Sequence, residues 1–457
     1  MRKARIIWLL ALCALTASLH AESISIEHVT VIDGTGRPPQ PDMTVVVDDG
    51  RITTLTPTVV AGQPAGHRID GHGKFLMPGL MDLHVHLSGA FDPTNLKASP
   101  PPPVNMDAGI GALASYLYAG VTTIFDVGNR TELILPLRAR ERAGEILAPR
   151  IFATGNLITY PGSHGAEVGL AVDSWPQAKA ALDKHLAEQQ PDMVKLVMEE
   201  EGWGSRPMIP MMPVDLLREI TRYYNQHGIR TTVHVSSELR SLDAIYAGVD
   251  TLAHPVIQGP VSDSFVKLMA AKKIPFASTL TIGENYARLV DHPEFLDEPL
   301  YVASFTPAER QRLKTTVRDD YAKRPWTNWM RVMTPIAMEN VRKIDAAGGV
   351  VATGTDQSTG AALQHELELL AAAGIKPVEV IRIATLNSAV FLGKGDDLGS
   401  VATGKIADLV LLNADPTVDI HNAKAIAWVM KGGSIIDESQ LPLPGGRVKA
   451  RTASAAR

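Results

Sequence analysis

Short apolar segments alternate with amphipathic stretches along most of the chain from Pro78 onward. Apolar strands separated by helical patterns are typical of parallel βαβ units. Eight such strands fit a closed (β/α)8 TIM barrel, an α/β fold, better than an open doubly wound sheet. The predicted strands are 82–86, 122–127, 149–155, 193–198, 230–235, 251–254, 274–279 and 349–356.

Both ends of the chain have a different pattern, in which β-branched runs are separated by Gly and Pro turns. Residues 22–77 and 397–440 each supply part of a sheet, and either part alone would leave an apolar face and strand edges exposed. We therefore expect them to pair into one small discontinuous β-sandwich beside a barrel of residues 78–396. Residues 285–345 have no strand pattern and contain a helix start at Thr306, which predicts a helical insertion.

Residues 1–21 have the pattern of an export signal peptide. A basic start precedes an apolar stretch, residues 6–19, and Ala21 is a small residue suited to cleavage. Because the apolar stretch is short for a bilayer span, we predict an exported protein, periplasmic or secreted, with no membrane span. A lipoprotein signal ending before Cys13 is the alternative, and Leu12, which is not small, counts against it.

Composition narrows the class of protein further. With 45% hydrophobic and 20% charged residues, the chain is typical of soluble globular proteins. Its net charge of −5 becomes −8 without the three basic residues of the signal, so we expect a small-molecule substrate and no nucleic-acid partner. Cys13 is the only cysteine, so a metal would need histidine, carboxylate or a less usual ligand. Residues 441–457 are basic and rich in Pro, Gly and Ala, and we expect a flexible tail there.

Histidines and one aspartate lie at the predicted C-terminal ends of four strands. His84 and His86 end the first strand and point to the same face, because side chains alternate along a strand. His234 lies near the end of the fifth strand, His254 ends the sixth and Asp356 ends the eighth. These ends converge on one mouth of a barrel, so the set indicates a hydrolytic metal site. The alternatives are that the first two are solvated loop residues and that the aspartate caps a helix.

Lys195 lies in the middle of the fourth predicted strand, among apolar residues. A lysine that faces a barrel interior would lose its hydration and usually its proton. A neutral amine beside two cations can add carbon dioxide, and the resulting carbamate is an anionic ligand able to bridge them. The alternative is an outward-facing lysine whose ammonium extends to solvent.

These motifs, in this order, resemble the amidohydrolase superfamily. The resemblance rests on MPGLMDLHVH at 77–86, GVTT at 120–123, DMVKL at 192–196, the histidines at 234 and 254, GTD at 354–356, ELELL at 366–370, ATLNSA at 384–389 and LGSVATGKIADLV at 398–410. It covers nearly all of the mature chain. Lys195 in this setting is similar to the branch in which a carboxylated lysine bridges two metals, which includes prolidase-like and Xaa-Arg dipeptidases and the ochratoxin-cleaving amidase.

The resemblance implies a binuclear metal site with an N6-carboxylated lysine. By that resemblance His84, His86 and Asp356 would hold the more buried metal, His234 and His254 the more exposed one, and Lys195 would bridge them. We expect zinc, for which manganese or cobalt could substitute. The metals would generate a bridging hydroxide and polarise the scissile carbonyl, and Asp356 would act as general base and then general acid toward the leaving amine.

The expected reaction is hydrolysis of an amide C–N bond in a dipeptide or an N-acyl amino acid. Esters, lactones and carbamates are the main alternative substrates, and a non-catalytic scaffold is a second alternative. Lys195 counts against base deamination, because that branch usually has no such lysine. Oligomeric association of identical chains stays open.

Two substrate contacts are predicted in the loop after the third strand. Tyr160 and His164 lie in a loop that resembles the family's substrate loop, so they could polarise the carbonyl or hold a carboxylate, or be loop structure alone. Ser163 stands where glycine is expected, and Glu199–Glu201 follow the fourth strand where small residues are usual. Both departures put peptide specificity in doubt. Trp203, Met208, Met211 and Met212 could line an apolar pocket or pack against the barrel.

Overall fold

The computed structural model describes residues 23–62, 66–87, 103–166, 169–200 and 208–448. The predicted export signal, with Cys13, lies outside the described residues. Trp203 and Glu201 lie outside them as well.

Strands and helices are numbered here along the chain. The strands are β1 (Ile24–Val31), β2 (Gln40–Asp48), β3 (Arg51–Pro57), β4 (His67–Asp70), β5 (Phe75–Pro78), β6 (Leu80–Val85), β7 (Val121–Asp126), β8 (Arg150–Ala153), β9 (Ile158–Thr159), β10 (Leu170–Ala171), β11 (Val194–Val197), β12 (Thr231–His234), β13 (Thr251–Leu252), β14 (Phe276–Ala277), β15 (Val351–Ala352), β16 (Leu409–Leu412), β17 (Ile426–Lys431) and β18 (Ser434–Ile435). The helices are α1 (Met106–Tyr118), α2 (Thr131–Arg142), α3 (Trp175–Gln189), α4 (Val214–Gln226), α5 (Glu238–Ala247), α6 (Asp263–Lys272), α7 (Leu280–Asp291), α8 (Pro299–Ser304), α9 (Pro307–Arg312), α10 (Arg318–Lys323), α11 (Pro325–Ala346), α12 (Gly360–Ala372), α13 (Pro377–Arg382) and α14 (Ser388–Phe391).

The eight predicted barrel strands are all present, several of them shorter than predicted. They are β6, β7, β8, β11, β12, β13, β14 and β15, and they pair in parallel within two groups, β6–β8 and β11–β15. Backbone hydrogen bonds join the groups at both sides: the amide of Asp192 donates to the oxygen of Ala153, and the amide of Leu83 donates to the oxygen of Thr353, each at 3.0 Å. The predicted (β/α)8 barrel is therefore confirmed.

Side-chain caps begin several of the helices that cover the barrel. Asn105, Ser237 and Ser262 accept hydrogen bonds from backbone amides at the starts of α1, α5 and α6. Thr306 and Glu309 form a capping box at α9, so the predicted helix start is confirmed. Helices occupy the region between β14 and β15, and the long α11 packs against α6 and α7. None of the described helices is both long and apolar enough to cross a membrane.

A second sheet joins the two ends of the chain. Strand β5 pairs in parallel with β1 and antiparallel with β16, so N-terminal and C-terminal strands share one eight-stranded sheet. The sheet encloses its own apolar cluster, which includes Ile26, Val45 and Leu409. It also folds back on itself, because the amide of Ile52 donates to the oxygen of Lys405. The two halves of the expected sandwich thus form one continuous sheet. The pairing of β5 with β16 covers a strand edge that each half alone would leave exposed.

The segment after β18 packs against the barrel where it is described. Leu441 and Leu443 are buried, and the amide of Gly445 donates to the oxygen of Ala303 at 3.0 Å. A Cβ at Gly445 would lie 1.6 Å from the oxygen of Val302, so the approach requires glycine. The expectation of a flexible tail is therefore wrong for residues 441–446, because two leucines bury their side chains there. Residues 449–457 lie outside the described part of the chain.

Candidate metal centre

Four of the predicted ligands converge at the C-terminal ends of the barrel strands. His84 lies in β6, His254 follows β13 and Asp356 follows β15, and one ligand atom of each lies within 4.8 Å of the others. The Nζ atom of Lys195, in β11, lies 3.2 Å from Nε2 of His84. All four side chains are buried. The barrel therefore brings together residues that are far apart in the sequence.

His86 and His234 lie beside this group. The Nε2 atom of His86 is 3.5 Å from Oδ1 of Asp356. The ring of His234 meets that of His254 edge to face, with centroids 4.5 Å apart. The structure thus places all six residues that were predicted as metal ligands around one centre.

Outer hydrogen bonds fix the orientation of three of the histidine rings. In each ring Nδ1 meets a neighbouring oxygen: Ala253 O at 3.0 Å for His84, Gly128 O at 2.6 Å for His86 and Thr279 Oγ1 at 2.9 Å for His254. A carbonyl oxygen can only accept, so Nδ1 carries the proton in the first two rings. Their Nε2 lone pairs remain for the centre, which is the arrangement that histidine metal ligands usually have.

Burial keeps the four imidazoles neutral. It lowers the pKa of His84 and His254 well below the ordinary value, and it lowers the pKa of His86 to about 4. Burial also lowers the pKa of His234. A neutral imidazole offers the lone pair that a cation needs.

Lys195 and Asp356 have pKa values shifted in opposite directions. Burial lowers the pKa of the Lys195 amine, against the opposing effect of the Asp356 carboxylate. Burial raises the pKa of Asp356, against the opposing effect of the Lys195 ammonium. The shift at Lys195 favours the neutral amine, which is the form that can add carbon dioxide.

The surroundings of Oδ1 of Asp356 indicate whether a metal fits at this centre. It is buried and accepts no hydrogen bond from any residue that the structure describes. It lies 3.6 Å from Nε2 of His84 and 3.5 Å from Nε2 of His86. A buried carboxylate oxygen without a donor is costly, and a cation would supply the missing interaction. Imidazole nitrogens and a carboxylate oxygen therefore fit zinc, manganese or cobalt.

The backbone after β15 is shaped around this centre. Asp356 has φ of 55°, in the left-handed region, and its amide donates to the oxygen of His84 at 2.7 Å. A Cβ at Gly354 would lie 2.7 Å from Cβ of His84. Glycine at this position therefore allows the two strand ends to approach each other.

The two predicted substrate contacts differ in their placement. The ring of His164 stacks on that of His234, with centroids 4.6 Å apart and planes inclined by 25°. Tyr160 is half-buried and packs against the barrel core, and its backbone oxygen accepts from the amide of Ser163 at 2.9 Å. The structure thus places His164 directly against a predicted metal ligand, whereas Tyr160 supports the loop.

Comparison with known proteins decides the family. Residues 75–436 match the family model described as Amidohydrolase family. The chain belongs to the amidohydrolase family. The superfamily prediction is therefore confirmed.

This amidohydrolase is similar to known proteins at low sequence identity. An uncharacterized protein of Mycobacterium tuberculosis is 25% identical over 261 residues, which are 57% of this chain and 63% of that protein. Ochratoxinase of Aspergillus niger is 23% identical over 387 residues, 79% of this chain and 75% of that protein. The crystal structure of a candidate prolidase from Bifidobacterium longum has a TM-score of 0.73 and 26% identity, and it covers 91% of this chain and 95% of that one.

A buried carboxylate of this amidohydrolase holds Thr279, the partner of His254. Glu366 accepts hydrogen bonds from the amides of Leu280 and Thr281 at 3.0 and 2.7 Å. It also accepts from the hydroxyls of Ser278 and Thr281 at 2.5 and 2.6 Å. The residues on both sides of Thr279 are therefore fixed by one side chain. Glu366 belongs to the ELELL motif at 366–370, but this role was not predicted. A carboxylate on an otherwise apolar helix face is the sequence signal that could have indicated it.

A second supporting carboxylate, Asp82, holds the loop that carries Asp356. Asp82 is fully buried and accepts from the amide of Thr355 at 3.0 Å and from its hydroxyl at 2.7 Å. Burial raises the pKa of Asp82 well above its ordinary value. The first-strand motif of the amidohydrolase therefore contributes a structural carboxylate as well as two predicted ligands.

The predicted pocket methionines differ in their placement. Met212 packs in the barrel core and Met208 is exposed. A separate cavity of about 10 Å³, too small for an acyl group, is lined by Pro255, Ile257, Thr279, Leu280, Gly283, Met330, Met333, Thr334 and Ala337. Thr279, the partner of His254, is one of the residues that line this cavity.

Proposed function

We propose that this amidohydrolase is a metal-dependent hydrolase that cleaves amide C–N bonds in small substrates of the dipeptide or N-acyl amino acid type. The proposal depends on one observation, the buried group of His84, His254 and Asp356 with Lys195 beside it. The likeness to ochratoxinase and to a candidate prolidase supports it.

The ligand residues fit two divalent metals. His84, His86 and Asp356 would hold the more buried metal, His234 and His254 the other, and N6-carboxylated Lys195 would bridge them. We propose zinc, because nitrogen and oxygen donors and hydrolytic chemistry suit it. When bound, the pair would lower the pKa of a water molecule and polarise the scissile carbonyl.

Carboxylation of Lys195 would proceed without an enzyme of its own. The neutral Nζ attacks carbon dioxide, an N–C bond forms, and one proton leaves to solvent. The product is a carbamate with one negative charge, in place of a buried ammonium that would repel the cations. The lowered pKa of Lys195 favours the first step.

Asp356 is the proposed proton carrier. Its Oδ1 faces His84 and His86, and its left-handed backbone fixes the carboxylate toward the centre. The carboxylate would take a proton from the attacking water and deliver it to the leaving amine nitrogen as the C–N bond breaks. His164, stacked on His234, is placed to orient the substrate carbonyl or carboxylate.

We also propose that the enzyme works outside the cytoplasm, as a periplasmic or secreted protein. The basic start and apolar stretch of residues 1–21 support this location. N-terminal sequencing of the protein recovered from the periplasm or medium would show removal of that segment, and an intact N-terminus in the cytosolic fraction would contradict it.

A hydrolysis screen tests the function. Metal-replete protein is incubated with N-acyl amino acids, dipeptides, lactones, carbamates and aryl esters, and released amine or acid is measured by mass spectrometry. We expect amine release from the first two classes, and none after metal removal. Turnover of esters or lactones alone would show that the assigned bond is wrong. No turnover, together with less than about one bound metal per chain, would support the scaffold alternative.

A further inference from the structure

Asp126 is a fully buried carboxylate at the C-terminal end of β7, the barrel strand that pairs with β6. Its Oδ2 accepts hydrogen bonds from the amide of Leu87 at 2.9 Å and from the side-chain amide of Asn129 at 2.8 Å. Its Oδ1 accepts from the amide of Gly128 at 3.2 Å. These three donors offset the hydration that the carboxylate loses on burial.

The donors to Asp126 belong to the segments that surround His86. Leu87 follows His86 in the chain, so the bond from its amide fixes the backbone beside that histidine. Gly128 carries the oxygen that accepts from Nδ1 of His86 at 2.6 Å. The side-chain amide of Asn129 joins the two segments, because it also donates to the oxygen of Leu87 at 3.0 Å. One carboxylate therefore holds both the backbone next to this histidine and the acceptor of its ring.

Contacts of this kind matter more for His86 than for His84. Strand β6 ends at Val85, so His86 lies in the loop that follows the strand. Its side chain is 17% exposed, against 1% for His84, so less packing restrains its ring. The hydroxyl of Ser358 donates to the backbone oxygen of His86 at 2.5 Å, whereas the adjacent amide and the ring acceptor are both held by Asp126.

We propose that Asp126 is a positioning residue that fixes the ring of His86 for the more buried metal. It acts through the amides of Leu87 and Gly128. Outer hydrogen-bond partners orient the rings of histidine ligands, and here the partner is a backbone oxygen whose own position depends on a carboxylate. The inference rests on the proposed function, because it assigns a role toward a metal that this function requires.

The carboxylate form of Asp126 is essential to this arrangement. Burial raises the pKa of Asp126 to about 6, so the group is ionised at neutral pH and both oxygens accept. An asparagine at this position would have the same shape but only one acceptor oxygen, and its NH₂ group would face an N–H donor. Asp126→Asn therefore breaks at least one of the three contacts without leaving a cavity.

Metal titration and histidine spectra, both independent of any substrate, test the inference. Metal-free wild type, Asp126→Asn and Asn129→Ala are titrated with Co²⁺, followed by its absorption bands, and total metal is counted by mass spectrometry. Nitrogen-15 spectra of histidine-labelled, metal-free protein report the Nδ1–H group of each ring. His86→Gln identifies the titration step and the ring signal that belong to His86.

Glu141→Gln is the matched control. The carboxylate of Glu141 is also buried, and it accepts from the amide of Ile151 at 3.3 Å and from the ammonium of Lys431 at 2.5 Å. Lys431 lies in β17 of the second sheet, so this carboxylate joins that sheet to the barrel. Thermal unfolding of each variant checks that it is folded.

Asp126→Asn is expected to weaken the more buried metal by about 10-fold and to leave the other within about twofold of wild type. The Nδ1–H signal of His86 should shift and exchange faster with water, while that of His84 stays unchanged. Asn129→Ala should have a smaller effect in the same direction, because the bonds from Leu87 and Gly128 to the carboxylate remain. Glu141→Gln should unfold at a lower temperature and bind both metals within about twofold of wild type.

Four results would overturn the inference in distinguishable ways. If wild type binds two metals, and Asp126→Asn binds both equally well with an unchanged His86 signal, the positioning role is wrong and the proposed function stands. If Asp126→Asn and Glu141→Gln lose metal equally and the His84 and His86 signals move together, Asp126 only stabilises the barrel. If Asp126→Asn does not fold, unchanged metal affinity and an unchanged His86 signal in Asn129→Ala refute the role. If wild type binds no metal, the proposed function and this inference both fail.

Discussion

The Nζ atom of Lys195 lies 3.2 Å from Nε2 of His84, and both side chains are buried. The proton of His84 is on Nδ1, toward the oxygen of Ala253, so Nε2 is a lone-pair acceptor. An unmodified Lys195 would occupy that lone pair with an N–H donor. A carbamate at the same nitrogen would turn its oxygens toward the centre and leave the lone pair for a metal. Under the proposed function, carboxylation of Lys195 would therefore leave the Nε2 lone pair of His84 for a metal.

Replacing Lys195 by arginine should empty the centre. Arginine keeps a positive charge and comparable length but cannot form the carbamate, so the cations would meet a fixed like charge. We expect loss of the bridging carbamate to remove about 3 kcal/mol of transition-state stabilisation, which lowers kcat by about 10²-fold. Metal content and kcat check the expectation, and carbon-13 spectra after exchange with labelled bicarbonate should show a carbamate signal only in wild type. Lys179→Arg, at a half-exposed surface lysine, is the control, and unchanged metal content in Lys195→Arg would contradict the bridging role.

Replacing Asp356 by asparagine should separate metal binding from turnover. The amide keeps an oxygen near its present position but cannot carry a proton between water and the leaving amine. We expect much of the metal to remain and kcat to fall by about 10²- to 10⁴-fold. Metal analysis and steady-state kinetics on the same preparation measure both quantities. Near-normal turnover in this variant would show that another group moves the proton.

Replacing Gly354 by alanine should disturb the centre through packing alone. The new Cβ would lie 2.7 Å from Cβ of His84 and 3.1 Å from Cβ of Ala277, so the strand ends must separate. We expect a loss of about 1–3 kcal/mol in unfolding free energy, together with weaker metal binding. Gly404→Ala is the comparison, because Gly404 has φ of 90° and a Cβ added there would have no neighbour within 4 Å. That variant should lose stability without losing metal affinity, and identical metal affinity in both variants would contradict the packing argument.

The barrel strands and the metal-ligand residues could be predicted from the sequence, and the reason is physical. A parallel strand is buried on both faces, so a polar residue at its end stands out against an apolar run. His84, His254 and Asp356 each have that signature, and the barrel topology then brings them together. The pairing of β5 with β16 could likewise be predicted, because each half-sheet alone would leave edges unsatisfied.

The supporting contacts could not be predicted in the same way. Glu366 lies on α12 and binds the backbone around Thr279, and nothing local to either segment indicates the other. The approach of Glu199 to His234 depends on how the chain leaves β11, where residues 199–201 were read only as a departure from the family pattern. The packed segment at Leu441 and Leu443 is too short for a periodic pattern to identify it.

His185 should make the protein less stable in acid, at a site outside the proposed metal centre. Its Nε2 lies 2.9 Å from the oxygen of Thr154 and its Nδ1 lies 2.8 Å from the hydroxyl of Tyr224, and burial lowers its pKa to about 4. The unfolded chain binds this proton below about pH 6.5, whereas the folded chain binds it only near pH 4, so unfolding free energy falls across that window by up to about 3 kcal/mol. His185→Gln, which keeps a donor and an acceptor but does not titrate, should be less stable than wild type at neutral pH and lose less on acidification. Urea unfolding of both metal-free proteins between neutral pH and about pH 4 measures the difference, because the remaining histidines titrate equally in each. Parallel curves for the two proteins would show that His185 is not responsible for acid sensitivity.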